Sequence, residues 1–76
     1  MISKHQASRI AHSYIEGSIL KEECSEIMGT SSYTPIIYEF NIHHKDSDGN
    51  IFQTFISVSN RGFVTNWIKR HIDETN

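Results

Sequence analysis

The amino-acid sequence predicts an α+β domain with two layers, in which an N-terminal amphipathic helix packs on a three-stranded antiparallel β-meander. Two patterns in the chain carry this prediction. Before Gly17 the apolar residues recur at the spacing of a helix, and from Tyr33 they recur at every second position, as in a half-buried strand. The chain has 76 residues, which suffices for one small domain spanning residues 1–76.

The helix begins after Ser3 in this prediction. Ser3 is a favourable N-cap, and Gln6, three residues later, completes a capping box. Gly17 is a natural stop for the helix. The apolar stripe of this helix consists of Ala7, Ile10, Ala11, Tyr14 and Ile15.

Residues 18–32 show no single pattern. Their apolar residues fit one side of a short second helix that closes at Gly29, and they fit a loop or an irregular strand equally well. These apolar residues are Leu20, Cys24, Ile27 and Met28. The C-terminal tail is ambiguous in a similar way, because residues 64–72 also fit a final helix.

Residues 36–43, 51–59 and 63–68 are the three predicted strands, with turns at residues 46–50 and 60–62. A three-residue loop that ends at Gly49 pairs Phe40 with Ile56, and only this register gathers the apolar side chains on one face. The same loop length at residues 60–62 pairs Thr54 with Ile68. The predicted core face then holds Ile36, Tyr38, Phe40, Ile42, Phe52, Ile56, Val58, Val64 and Ile68.

The opposite face of this predicted sheet is the candidate partner-binding site. It carries five large apolar residues, with Phe55 directly opposite Trp67. They are Ile37, Ile51, Phe55, Phe63 and Trp67. Aromatic groups within a polar rim are typical of interaction surfaces. The alternative is that residues 18–32 or the tail cover this face.

The composition excludes several classes of protein. The chain has 7 Lys and Arg against 9 Asp and Glu, so it lacks the basic charge of a general nucleic-acid binder. No apolar run is long enough for a transmembrane helix, and the first residues do not resemble a signal peptide. We therefore expect a soluble, cytoplasmic protein that binds no membrane.

No motif in the chain predicts catalysis, a cofactor or a metal site. The turn at residues 46–50 begins like a calcium loop, but Ile51 and Ser57 occupy the positions that require Gly and Glu. His43 and His44 are adjacent on a strand and cannot share a metal, and we expect all five histidines to lie at the surface or at edges. Cys24 has acidic neighbours that disfavour a thiolate nucleophile.

Five short segments carry a family resemblance: ISKHQASRIAHSYI at residues 2–15, YEFNI at 38–42, DGN at 48–50, FISVS at 55–59 and NRGFV at 60–64. In this order they resemble the PepSY type of domain (peptidase propeptide and YpeB), over residues 2–68. The resemblance implies a non-catalytic module that binds or restrains another protein. The same plan is similar to small bacterial toxin-immunity proteins.

The sequence thus favours a stand-alone, non-enzymatic protein-binding module of the inhibitor or immunity type. The alternative is a homodimeric domain that binds a small ligand or regulates another protein through the same face. Nucleic acid is an unlikely partner. RNA binding through Lys69 and Arg70 is the third hypothesis. It comes from the order of the elements, which is similar to that of double-stranded-RNA-binding domains. It ranks low because residues 65–68 occupy the place of their basic motif and are not basic.

Overall fold

Helix α1, Lys4–His12, begins at the capping box that the sequence predicts. In the computed structural model, which describes residues 1–30 and 33–72, the Gln6 amide donates to Ser3 Oγ at 3.2 Å. The Ser3 amide in turn donates to Gln6 Oε1 at 2.8 Å. The helix ends earlier than predicted, at a C-cap on Ser13, whose hydroxyl donates to the Ile10 carbonyl at 2.6 Å.

Four strands follow the helix and form one antiparallel sheet in the order β1-β2-β3-β4. Their bounds are β1 Ser18–Met28, β2 Pro35–Lys45, β3 Ile51–Ser59 and β4 Val64–Ile72. The α+β class is therefore confirmed, and the prediction of three strands is wrong. The additional strand is β1. Of the three alternatives for this segment, a short helix, a loop or an irregular strand, the structure shows the irregular strand over residues 18–28. The parts of the ambiguous segments at residues 31–32 and 73–76 lie outside the described residues.

Strand β1 escaped the sequence pattern because neither of its faces is covered. It lies at the edge of the sheet, where only Cys24 is half-buried and every other residue is exposed. The strand also contains two irregularities in its pairing with β2, between Ile19 and Lys21 and between Ile27 and Met28. A strand that buries neither face has no need for alternating apolar residues.

Gly17 lets the chain turn from the helix into β1 at very close range. Its φ is +81°, and a Cβ at this position would overlap the carbonyl oxygen of Lys45. Glycine is therefore required here both by the backbone conformation and by the space.

The core lies between α1 and the two central strands. Ala7 and Ala11 are fully buried, and their small side chains let the helix approach the sheet closely. Their neighbours in the core are Tyr38, Phe40, Ile42, Ile56 and Val58. Five of the nine residues predicted for the core face thus belong to the buried cluster. Ile36, near the start of β2, is exposed instead.

The core also holds a polar pair that corrects the prediction of surface histidines. His44 is 0% exposed, and its ring stacks on Phe52 at 5.7 Å between centroids. His44 Nδ1 lies 2.9 Å from the Glu16 carbonyl oxygen, which can only accept, so Nδ1 carries the proton. His44 Nε2 lies 2.7 Å from Thr54 Oγ1. Both ring nitrogens of this buried histidine therefore have a hydrogen-bond partner.

The pairing of β2 with β3 confirms the predicted register. Phe40 lies opposite Ile56 and Tyr38 opposite Val58. The loop closes through the Asp46 amide, which donates to the Asn50 carbonyl at 3.0 Å, and Gly49 adopts a φ of +87°.

The pairing of β3 with β4 differs from the prediction by one residue. The turn at residues 60–62 forms as expected and Val58 lies opposite Val64, but a bulge then shifts the register, so that Ser57 pairs with Asn66. Thr54 consequently lies opposite Lys69 rather than Ile68. Because one extra residue turns every later side chain over, the remainder of β4 exchanges its two faces relative to the prediction.

Candidate protein-binding face

The sheet face opposite α1 carries no second layer in the described part of the chain, and we call it the open face. The alternative placed residues 18–32 over this face. Residues 18–28 of that segment instead lie beside β2 and extend the sheet to four strands. Two neighbouring rows of side chains cross the middle of this face from β1 to β4. One row consists of Glu23, Asn41, Phe55 and Ile68, and the other of Ser25, Glu39, Ser57 and Asn66.

These two rows line a groove of about 800 Å³. The groove also borders Cys24, Phe40 and Ile56, whose side chains belong to the helix side of the sheet, so the backbone of these residues lies at its floor. The groove spans all four strands, which is wide enough for a segment of another polypeptide to lie across the sheet.

The apolar part of the groove lies on the β3 and β4 side. Phe55 and Ile68 are direct cross-strand neighbours, Phe55 half-buried and Ile68 52% exposed. A half-buried aromatic ring beside an exposed aliphatic side chain provides an apolar contact point within otherwise polar surroundings.

The acidic part of the groove lies on the β1 and β2 side. Glu23 and Glu39 project from adjacent strands at diagonal positions, because Glu23 pairs with Asn41 and Glu39 pairs with Ser25. Among residues 1–30 and 33–72 the two ion pairs are His12 with Glu22 and Lys69 with Glu16, and neither involves these carboxylates. Both carboxylates therefore remain available to a bound molecule.

A chain of hydrogen bonds fixes the polar side chains at one border of the groove. Arg70 donates to Gln53 Oε1 at 2.7 Å, and Gln53 Nε2 donates to Asn41 Oδ1 at 3.0 Å. These contacts orient both amides and hold the Arg70 guanidinium at the border. The cation is thus engaged next to the groove without neutralising Glu23 or Glu39.

The structure does not bring the five predicted partner-binding residues together. Ile37, Ile51 and Phe55 do lie on the open face, but Ile37 and Ile51 are each four residues, or ~13 Å, from the Phe55 row. Phe63 precedes β4 and is 67% exposed at the turn.

Trp67 lies on the opposite side of the sheet from Phe55, in contrast to the prediction. It pairs with Ile56 on the helix side and contacts Tyr14, with ring centroids 5.7 Å apart. Ile68 takes the place next to Phe55 that the predicted register gave to Trp67. The residues missed by sequence reasoning are therefore Ile68, which the bulge moves to the open face, and Glu23, which lies on β1, in the segment whose structure the sequence left open.

Lys69 and Arg70 do not form a joint basic patch. Lys69 faces the helix side, where its Nζ lies 3.4 Å from Glu16 Oε1 and 4.3 Å from the centre of the Phe52 ring. Arg70 faces the open side and contacts Gln53. The two cations considered for contact with RNA thus lie on opposite faces of β4.

Cys24 lies on the helix side of β1 and does not project into the groove. Partial burial raises the pKa of its thiol, Lys4 opposes this rise, and the nearby carboxylates of Glu26 and Glu22 add to it. The protonated thiol is a poor nucleophile at neutral pH.

No protein-family model matches the chain, and neither the curated proteins nor the solved structures contain a match. Within residues 1–30 and 33–72, no three side chains of His, Cys, Asp or Glu are placed so that they could hold a metal ion together. The helical residues of this described part are too few and too polar to cross a membrane.

Proposed function

We propose that this chain is a non-enzymatic protein-binding module of the cytoplasm, of the inhibitor or immunity type, that holds its partner protein on the open face of the sheet. The observation that supports this proposal best is the groove, in which Phe55 and Ile68 lie beside two carboxylates that form no ion pair within the described part of the chain. An apolar anchor within a polar rim is the arrangement that concentrates binding energy in protein interfaces.

The inhibitor or immunity type rests on the resemblance of the sequence to PepSY domains and to small immunity proteins, and it is an argument by analogy. The side chains of the groove agree with a role in contact rather than in chemistry. They comprise carboxylates, amides, hydroxyls and apolar groups on regular strands, with no nucleophile held by a neighbouring base.

A homodimer that uses the same face is the second candidate. One observation favours it: on the open face, the edge strand β1 carries Glu23, whereas the opposite edge strand, β4, carries Arg70. Two copies placed face to face with β1 over β4 would bring opposite charges together. Size-exclusion chromatography with light scattering distinguishes the two candidates. A monomer at micromolar concentration favours a binding site for another protein, whereas a stable dimer favours self-association through this face.

Site-specific photo-crosslinking tests the proposal. Phe55 is replaced by the photoreactive benzoylphenylalanine, which keeps an aromatic ring at the centre of the groove, and the protein is irradiated in its native host. The matched control carries the same group at His5, on the exposed side of α1. We expect one predominant protein adduct from position 55 and none from position 5.

The purified partner then provides the quantitative test. Phe55→Ala is expected to weaken its binding about tenfold or more, as for an aromatic anchor in an interface. An adduct that forms from position 5 and not from position 55, or a partner whose affinity Phe55→Ala leaves unchanged, would show that the open face is not the binding site.

A further inference from the structure

We infer that the partner segment in the groove presents a Lys or Arg side chain next to a large apolar one, so that the cation meets Glu23 and Glu39 while the apolar group contacts Phe55 and Ile68. This inference rests on the proposed function and specifies the chemistry of the occupant. It follows from the two carboxylates that line the groove and from the absence, within the described residues, of a cation paired with them.

Among residues 1–30 and 33–72, no cation forms an ion pair with the carboxylates of the groove. Lys21 lies on the same face of β1, two residues before Glu23, yet forms no ion pair with it within the described residues. Arg70 is directed to Gln53 at the border of the groove. Lys69 lies on the other side of the sheet, close to Glu16.

Desolvation then decides which occupants the groove accepts. A segment lying across all four strands removes water from Glu23 and Glu39, and an ionised carboxylate without a partner is costly to bury. An occupant with only apolar or acidic side chains would leave both charges unpaired. A Lys or Arg on the occupant replaces the lost water with an ion pair, so the acidic side of the groove selects for a basic residue.

The spacing of the two sides sets the distance between the occupant's groups. Glu39 is a diagonal neighbour of Phe55 on the adjacent strand, ~7–8 Å away, and Glu23 lies two strands away, ~10 Å. Residues i and i+2 of an extended segment, or i and i+4 of a helix, bridge about 6–7 Å, and a long Lys or Arg side chain covers the remainder. The apolar and basic groups therefore lie close together in the partner's sequence.

Selection from a library of random twelve-residue peptides displayed on phage tests this inference. The library is selected on the wild-type protein, and clones that also bind Phe55→Ala are removed, so that the surviving peptides depend on the groove. We expect these peptides to be enriched in Lys or Arg within four residues of a large apolar residue.

Charge-neutral variants then identify the groups that recognise the cation. Glu23→Gln with Glu39→Gln is expected to weaken binding of the selected peptides roughly tenfold, and added salt should weaken wild-type binding as well. The matched control is Glu26→Gln with Asp48→Asn, which also removes two negative charges, one from the helix side of β1 and one from the β2–β3 turn. We expect the control variant to bind the peptides within twofold of the wild type.

The possible failures are distinguishable. Peptides that require Phe55 but show no basic enrichment, or that bind the Glu23→Gln/Glu39→Gln variant as tightly as the control, would overturn the inference and leave the proposed function intact. A selection that yields no peptide dependent on Phe55 would overturn both.

Discussion

Trp67 and Ile68 are adjacent in sequence but serve opposite faces of the sheet, so truncating each to alanine should have different consequences. Trp67→Ala removes a side chain that packs on the helix side against Tyr14. Ile68→Ala removes an apolar contact of the groove next to Phe55. We expect the first change to reduce stability and the second to reduce binding.

The magnitudes follow from the exposure of the two side chains. A fully buried aromatic residue covers about 150–250 Å², and Trp67 is 50% exposed, so its truncation exposes ~100 Å² of apolar surface. At about 25 cal/mol per Å², this loss lowers the free energy of unfolding by ~2.5 kcal/mol. Ile68 is 52% exposed, and half of the ~2 kcal/mol for a fully buried aliphatic side chain is ~1 kcal/mol.

Urea denaturation followed by circular dichroism measures both free energies, since fluorescence would lose its only tryptophan in Trp67→Ala. Affinity for the crosslinked partner provides the second readout. We expect Trp67→Ala to retain the wild-type affinity once folded and Ile68→Ala to lose about fivefold to tenfold. The reverse result, with Trp67→Ala stable but defective in binding, would show that the predicted register without the bulge is the correct one.

Four further substitutions test the packing and the turns. Thr54→Val removes the hydrogen-bond partner of the buried His44 Nε2 and should lower the free energy of unfolding by about 1–3 kcal/mol in urea denaturation. An unchanged free energy of unfolding would mean that water replaces the hydroxyl or that the hydrogen bond does not form. Gly17→Ala should lower the free energy of unfolding by ~3 kcal/mol or more, because strain at positive φ adds to overlap with the Lys45 carbonyl. Gly49→Ala, which has open space around it, should lower it by only ~1–2 kcal/mol. Equal losses of stability would contradict the close approach at residue 17. Desolvation is the largest single influence on the pKa of Asp46 and raises it, but hydrogen bonds from Asn50 and Asp48 together with the charge of Lys69 hold this pKa below its usual value. The stabilising contribution of Asp46 is therefore present at neutral pH and is lost as the pH falls below ~4. The difference in urea midpoint between the wild type and Asp46→Ala should accordingly shrink on acidification, and a difference that persists at pH 2 would contradict this role.

Local signals in the sequence predicted the elements that are stabilised locally. The capping box at Ser3 and Gln6 and the glycine turns at Gly49 and Gly62 depend on residues close together in the chain. The register of β2 and β3 was also predictable, because both strands bury one face against the helix and the alternation of apolar residues fixes their pairing.

The remaining features depend on contacts that a local pattern does not contain. Strand β1 forms because its backbone pairs with the edge of β2, although nearly all of its own side chains are exposed. The bulge in β4 reverses Trp67 and Ile68, and a hairpin of the same loop length without a bulge would have the opposite faces. The burial of His44 agrees with the sequence pattern, since His44 continues the even-numbered core positions of β2. A polar side chain at such a position is stable only with partners, and these are Thr54 and the Glu16 carbonyl, which are distant in the sequence.

For the candidate site, the sequence placed Phe55 on the sheet face opposite the helix. The structure places it on the same face, because its position within β3 depends on the confirmed register with β2. Glu23 and Ile68 were not predictable, since the first requires β1 and the second requires the bulge.

The most direct test of binding through the open face is a two-dimensional amide spectrum of the ¹⁵N-labelled protein with and without its unlabelled partner, identified by crosslinking at position 55. If the open face binds the partner, the amide signals of Glu39, Phe55 and Ile68 shift or broaden, while those of Ser8 and Arg9 on α1 remain in place. Changes confined to α1, with the open-face signals unaltered, would contradict the proposed binding mode.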